Sequence, residues 1–123
     1  MIRVIALIIL LSSTAFASDI GTRIRDDPSF NYSDFTTIML AYLTGDINAT
    51  VAETWMNNRI DDNQGSPITT AERSDAVAIK NKYDALATTD DKQFFLLKLI
   101  TYTQQLSSSN ISMSQWDTFF VDP

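Results

Sequence analysis

The spacing of the apolar residues is the feature that most limits how this chain can fold. In one segment, the apolar residues at positions i, i+3, i+4, i+7 and i+8 are Phe35, Ile38, Met39, Tyr42 and Leu43. This spacing places all five side chains on one face of an α-helix. No stretch of the sequence alternates apolar and polar residues for long enough to indicate a β-strand. The pattern therefore predicts an all-α protein.

Capping signals divide the chain into several such helices. Ser33 or Asp34 is predicted to cap the first helix, and Gly45 to end it in a left-handed conformation. Asp46 then has the position of a new N-cap. Further helices are predicted at residues 47–60, 70–87 and 90–106. A short final helix that ends at Phe120 is predicted as well, because Ser112 and Gln115 before it have the spacing of a capping box. We therefore predict a single small bundle of four to five helices within a helical domain spanning residues 34–123.

The helix predicted at residues 90–106 is apolar around more than half of its circumference. Its apolar residues are Phe94, Phe95, Leu96, Leu97, Leu99, Ile100, Tyr102 and Leu106. A helix that is apolar on most sides is typical of a position surrounded by other helices. We therefore predict that it is the central helix of the bundle.

The N-terminus has the pattern of a secretory signal peptide. Arg3 precedes an apolar run from Val4 to Leu11, and Ala15-Phe16-Ala17 stands directly ahead of Ser18. Short basic, apolar and A-x-A segments in this order are typical of a cleaved leader. The apolar run has about eight residues, against the roughly 20 that a membrane-spanning helix needs. We expect a signal peptide at residues 1–17 and a periplasmic or secreted protein, with an uncleaved hydrophobic anchor as the alternative.

The segment that follows the leader, residues 18–33, shows no clear periodicity. Asp27-Pro28 interrupts it, because the residue before a proline is disfavoured in a helix. We predict an irregular N-terminal arm over this range.

The absence of histidine and cysteine limits the chemistry of the chain. It removes cysteine nucleophiles, histidine bases, disulfides and almost every zinc or iron site. The adjacent carboxylate pairs at 26–27, 61–62 and 90–91 lie near chain breaks or helix starts, where capping and solubility explain them. The net charge of −6 disfavours nucleic acids and anionic membranes. We expect no enzymatic activity, no cofactor and no bound metal.

Residues 60–72, IDDNQGSPITTAE, have the composition of a calcium-binding loop. With Asp61 at position 1 of an EF-hand loop, Glu72 falls correctly at position 12. Ser66, however, then occupies position 6, where the loop needs glycine. The spacing Thr69-x-x-Glu72 fits a helix-capping box better. We predict an interhelical loop, with calcium or ligand binding by residues 61–66 as an alternative.

Four large aromatic residues are the candidate partner-binding residues: Trp55, Trp116, Phe119 and Phe120. Aromatic residues anchor many protein interfaces. A small domain without disulfides also needs such side chains for its core, which favours core packing for each of them. We predict a small exported, non-enzymatic protein that binds a macromolecular partner, as inhibitors, immunity proteins and adaptors do. A structural subunit of a larger assembly, such as a virus-encoded one, is an alternative.

Overall fold

The computed structural model of the protein describes residues 17–122, and its regular secondary structure there is entirely helical. The helices are α1 (Asp19–Asp26), α2 (Tyr32–Leu43), α3 (Ala49–Asp62), α4 (Thr70–Asp84), α5 (Thr89–Ser107) and α6 (Met113–Phe120). The predicted all-α fold is confirmed, with six helices rather than four to five. The predicted signal peptide, apart from Ala17, lies outside the described residues.

The additional helix is α1, which occupies part of the segment predicted to be an irregular arm. Ser18 caps it, because the Ser18 hydroxyl oxygen accepts a hydrogen bond from the Gly21 N–H at 3.1 Å. Ile20 and Ile24 are buried, and α1 contacts α4, α5 and α6. The prediction of an irregular arm over residues 18–33 was therefore wrong for residues 19–26, and also for residues 32–33, which begin α2. Two apolar residues spaced i, i+4 are too few to produce a recognisable periodicity.

Several predicted helix ends are confirmed, and two starts are displaced by two residues. Capping boxes form at Thr69–Glu72 and at Ser112–Gln115, and Gly45 has a positive φ of 85°. The N-cap of α2 is Asn31 rather than Ser33 or Asp34. Asn48, rather than Asp46, caps α3. Asn, Ser and Asp cap helices about equally well, so a run of them does not define which one is used.

The hydrophobic core lies between these helices and is closed by α6. Helix α2 contacts α3, α4 and α5, while α6 contacts α1, α4 and α5. The largest fully buried side chains are Trp116, Phe35, Phe120, Met39 and Leu43. The C-terminal helix therefore contributes two of the largest core residues, and its removal would expose the interior.

Helix α5 does not occupy the central position predicted for it. Phe95, Leu99 and Leu106 are buried, but its opposite side faces solvent. The prediction was wrong because a helix can carry apolar residues on most sides and still be buried on only one. One apolar face of α5 is therefore left without a neighbour in the described fold.

None of the helices between residues 17 and 122 is both long and apolar enough to cross a lipid bilayer.

Candidate functional site

Two of the four predicted partner-binding residues are core residues. Trp116 and Phe120 both have an exposed fraction of 0%, and their ring centroids lie 5.2 Å apart. The Trp116 indole N–H lies 3.4 Å from the hydroxyl oxygen of Thr103, which is itself buried, so its polar group faces a partner inside the fold. These two side chains are not available to a partner on the surface of the folded protein.

Trp55 lies on the outer side of α3 and is 45% exposed. It borders a groove between α2 and α3 in which five of the seven lining residues are polar or charged; the seven are Asp34, Thr37, Ile38, Trp55, Asn58, Arg59 and Asp62. Arg59 lies 4.0 Å from Asp62, and both side chains are largely exposed. Trp55 is therefore a single aromatic residue in polar surroundings, which is common on protein surfaces.

A larger apolar surface lies on α5 and was not predicted from the sequence. Phe94, Leu97 and Ile100 have exposed fractions of 57%, 59% and 41%. Their spacing of three residues places them on successive turns along the outer side of the helix. We call these three residues the α5 ridge. Singly exposed apolar residues are ordinary, but a contiguous apolar row marks an interaction surface more often.

The fourth predicted residue, Phe119, lies beside this ridge and is partly buried. The Lys98 ammonium lies 4.2 Å from the ring centroid of Phe94 and 3.8 Å from that of Phe119. Such distances are typical of cation–π contacts, which hold a lysine side chain in place on an aromatic surface. Phe119 therefore extends the apolar surface of α5 onto α6, with Lys98 between the two helices.

Lys82 of α4 fixes the end of α6 next to this surface. Its ammonium donates hydrogen bonds at 3.1 Å to the carbonyl oxygens of Thr118 and Phe119. Partial burial lowers the pKa of Lys82, while the nearby carboxylate of Asp122 acts in the opposite direction. A cation at a helix C-terminus interacts favourably with the free carbonyl groups there. Phe119 is thus held in place rather than left on a loose chain end.

The signal that could have revealed the α5 ridge was present in the sequence. The apolar residues of α5 exceed what one helix face can bury, so some of them had to be exposed or covered by another molecule. The prediction from the sequence was that other helices of the same chain surround α5. The structure places enough neighbours around α5 to cover only one side.

Within the segment 60–72, residues 63–69 form the connection between α3 and α4, and Arg23 holds this connection in place. The Glu72 carboxylate accepts the Thr69 backbone N–H at 3.0 Å, which completes the predicted capping box. The Arg23 guanidinium donates to the same carboxylate at 2.7 Å, and its other N–H groups reach the carbonyl oxygens of Ser66 and Pro67. Glu72 is 3% exposed. Its carboxylate is already committed to these contacts, so it is a poor candidate for the bidentate calcium ligand.

The remaining carboxylates of interest also have structural contacts. Asp26 pairs with Arg25, and Asp27 accepts hydrogen bonds from the backbone N–H and the hydroxyl of Ser29. The hydrogen bond from the Ser29 hydroxyl contributes most to lowering the pKa of Asp27. Between residues 17 and 122, no three His, Cys, Asp or Glu side chains are grouped closely enough to hold a metal ion.

An apolar cavity of about 40 Å³ lies between α2, α3 and α4. Its walls include Ile38, Met39, Ala52, Met56, Ile68 and Ala76. Sites for drug-sized ligands usually occupy about 300–1,000 Å³. This cavity is close to the size of a single small group, so it is too small for a drug-sized ligand.

Comparisons of the chain with protein-family models, with curated proteins and with solved structures found no match.

Proposed function

We propose that this is a small exported helical protein that binds another protein through the α5 ridge. The observation that carries the proposal is the exposed row Phe94, Leu97 and Ile100, because the same helix already buries a complete apolar face in the core. A helix needs only one apolar face to fold onto its own domain. The second face is not covered by the described part of the chain, and it has the form of a recognition surface.

The spacing of the ridge suits a partner that offers an apolar groove or a second helix. Helical recognition elements commonly present anchors at three- to four-residue intervals to such grooves. Phe119 widens the surface, and Lys98 and Lys82 border it although the chain as a whole is acidic. A partner that places carboxylates around an apolar centre would complement both features.

Site-directed cross-linking tests the proposal, and the absence of cysteine makes it simple. In a Leu97→Cys variant, the new thiol is the only one in the chain and can carry a photo-activated cross-linker. Thr54→Cys, at an exposed position on α3, is the matched control. We expect cross-linked products with native-host extract from the ridge position and not from the control position.

A second variant separates binding from folding. Phe94→Gln/Leu97→Gln removes the apolar centre of the ridge from exposed positions, so the free energy of unfolding should change little. Capture of the partner by this variant should be lost, whereas Trp55→Gln should keep it. Equal capture by both variants would contradict binding through the ridge.

The same experiment addresses the structural-subunit alternative. If Leu97 cross-links only to further copies of this chain, and the molecular mass in solution exceeds that of one copy, the ridge is a self-association surface. That result would favour an assembly subunit over the binding of a different protein.

A further inference from the structure

The residue predicted to follow the signal peptide has an unusual environment. Ser18 is 8% exposed, although Ala17 directly before it is exposed. The Ser18 backbone N–H donates to Asp117 Oδ2 at 3.0 Å, and its hydroxyl donates to Asp117 Oδ1 at 2.5 Å. Both polar groups of Ser18 therefore contact the same carboxylate of α6, 99 residues away in sequence.

Asp117 is a buried carboxylate that forms no ion pair in the described part of the chain, although it interacts electrostatically with the exposed Arg25. It is 3% exposed, and no Lys or Arg within residues 17–122 forms an ion pair with it. A buried carboxylate is costly unless it is paired and hydrogen-bonded. The hydrogen bonds from Ser18 supply part of what is needed, but they supply no positive charge.

Close packing of α1 against α6 brings these groups together. A Cβ atom on Gly21 would lie 2.7 Å from the sulfur of Met113 and 3.1 Å from Asp117 Oδ1. Any larger residue at position 21 would force the side chains of Ser18, Met113 and Asp117 to move from these positions. Glycine at this position thus lets the Asp117 carboxylate reach the start of α1.

We propose that removal of the leader between Ala17 and Ser18 creates an α-ammonium group that forms a buried ion pair with Asp117. This inference rests on the export part of the proposed function and is independent of the α5 ridge. Hydrolysis of the Ala17–Ser18 amide by a signal peptidase consumes one water molecule. It leaves a carboxylate on Ala17 and an ammonium group on Ser18, at the position where the Ser18 nitrogen already contacts Asp117.

Two independent observations both point to Ser18 as the first residue of the processed protein. The A-x-A pattern of the sequence places cleavage before Ser18, and the fold places the Ser18 nitrogen on a buried carboxylate. Cleavage one or two residues to either side would leave the new charge away from Asp117. Processing thus supplies the cation that the folded interior lacks, and the exported form is more stable than the precursor.

The charged groups around Ser18 are few. Asp19 and Arg25 belong to α1, Asp75 belongs to α4 and Asp117 to α6. Asp75 accepts the Ile20 N–H at 2.9 Å and does not contact the Ser18 nitrogen. No charged side chain of α5 forms a hydrogen bond or ion pair with these groups in the part of the chain that the structure describes. The surroundings are therefore mainly acidic, which favours the charged ammonium form.

The test uses the full chain, expressed with its own leader in a host that exports it. Intact-mass analysis of the exported protein should show an N-terminus at Ser18. The rate of acylation of the Ser18 α-amine, followed against pH, then gives the pKa of this group. Pairing should raise that pKa above the ordinary value of about 7.7–8.0, so the folded protein should react at least about tenfold more slowly at pH 8 than the urea-unfolded protein.

Asp117→Asn and Asp75→Asn are the matched variants. Asp117→Asn should lose the protection of the amine, and Asp75→Asn should keep it. If Asp117→Asn does not fold, the comparison between folded and unfolded wild-type protein still decides the question. An N-terminus at another residue, or an amine that reacts equally fast in the folded and unfolded protein, would overturn the inference. Neither result would affect the test of the α5 ridge.

Discussion

Replacement of Arg23 by Met should lower the free energy of unfolding more than most other single substitutions in this protein. The Arg23 side chain is 9% exposed, and its Nε lies 2.5 Å from Glu72 Oε2. A second guanidinium nitrogen donates to Glu72 Oε1 at 2.7 Å. Methionine keeps most of the aliphatic volume but leaves the buried carboxylate without its cation.

The expected magnitude follows from the burial of this pair. Removing one partner of a buried ion pair costs about 3–5 kcal/mol, because the remaining charge stays desolvated. For a domain of this size, each kcal/mol lowers the Tm by about 4–8 °C. A fall in Tm of about 12 °C or more is therefore expected. The connection at residues 63–69 should also loosen, since Arg23 donates hydrogen bonds to the carbonyl oxygens of Ser66 and Pro67.

Urea unfolding followed by far-ultraviolet circular dichroism measures this effect. Arg25→Met is the matched control, because Arg25 lies on the same helix but is exposed and pairs only with its neighbour Asp26. The control should unfold at the wild-type urea concentration. The double variant Arg23→Met/Glu72→Met removes both charges and should recover part of the lost stability. A double variant no more stable than Arg23→Met would refute the reasoning, since unpaired charge would then not be the cause.

Three further predictions concern the core, a helix end and the dependence of stability on pH. Trp116→Ala should cost about 3–5 kcal/mol in the free energy of unfolding, as for other buried aromatic residues. An unchanged free energy of unfolding would mean that Trp116 is not a core residue and that α6 is a candidate docking surface. Gly45→Ala should lower the free energy of unfolding by about 1–2 kcal/mol. No atom lies near the added Cβ, so only the positive φ at this position opposes the substitution. Gly45→Asn should lower it by less, and equal losses for the two variants would argue against backbone strain. Burial, followed by the like charge of Asp19, raises the pKa of Asp75. Because the folded-state pKa lies above the unfolded value of about 3.9, stability from this group is greatest below that value and falls as the pH rises through the folded-state pKa. In thermal melts, Asp75→Asn should therefore gain stability relative to wild type as the pH rises above about 4, and parallel curves would contradict the assignment.

The parts of the fold that the sequence predicted are those determined over a few residues. The apolar face of α2, the capping boxes and the left-handed Gly45 each depend on neighbours within one or two helical turns. Helix α1 depends on contacts with α4 and α6, which lie 49 to 99 residues away. Helix α1 itself contains only two apolar side chains that can pack into the core, Ile20 and Ile24. Its burial therefore could not be predicted from its own sequence.

The candidate site likewise has features that could be predicted locally and features that depend on distant parts of the chain. Sequence reasoning identified large aromatic residues but could not tell which of them the fold would cover. Trp116 and Phe120 point into the core because α6 packs across α1, α4 and α5. Phe94 and Leu97 are exposed because no further helix covers the outer side of α5 in the described fold. The pattern of apolar residues shows that α5 has more of them than one face can bury, but it does not show which side the neighbouring helices leave uncovered.

The two tryptophans give this protein a pair of built-in optical reporters. Trp116 lies in a dry environment beside Phe120, while Trp55 faces water on α3. Their fluorescence should therefore differ in wavelength and in sensitivity to added quenchers. A Trp55→Phe protein would emit only from the core and report on unfolding. A Trp116→Phe protein would emit only from the α3 surface and report on molecules that approach that groove.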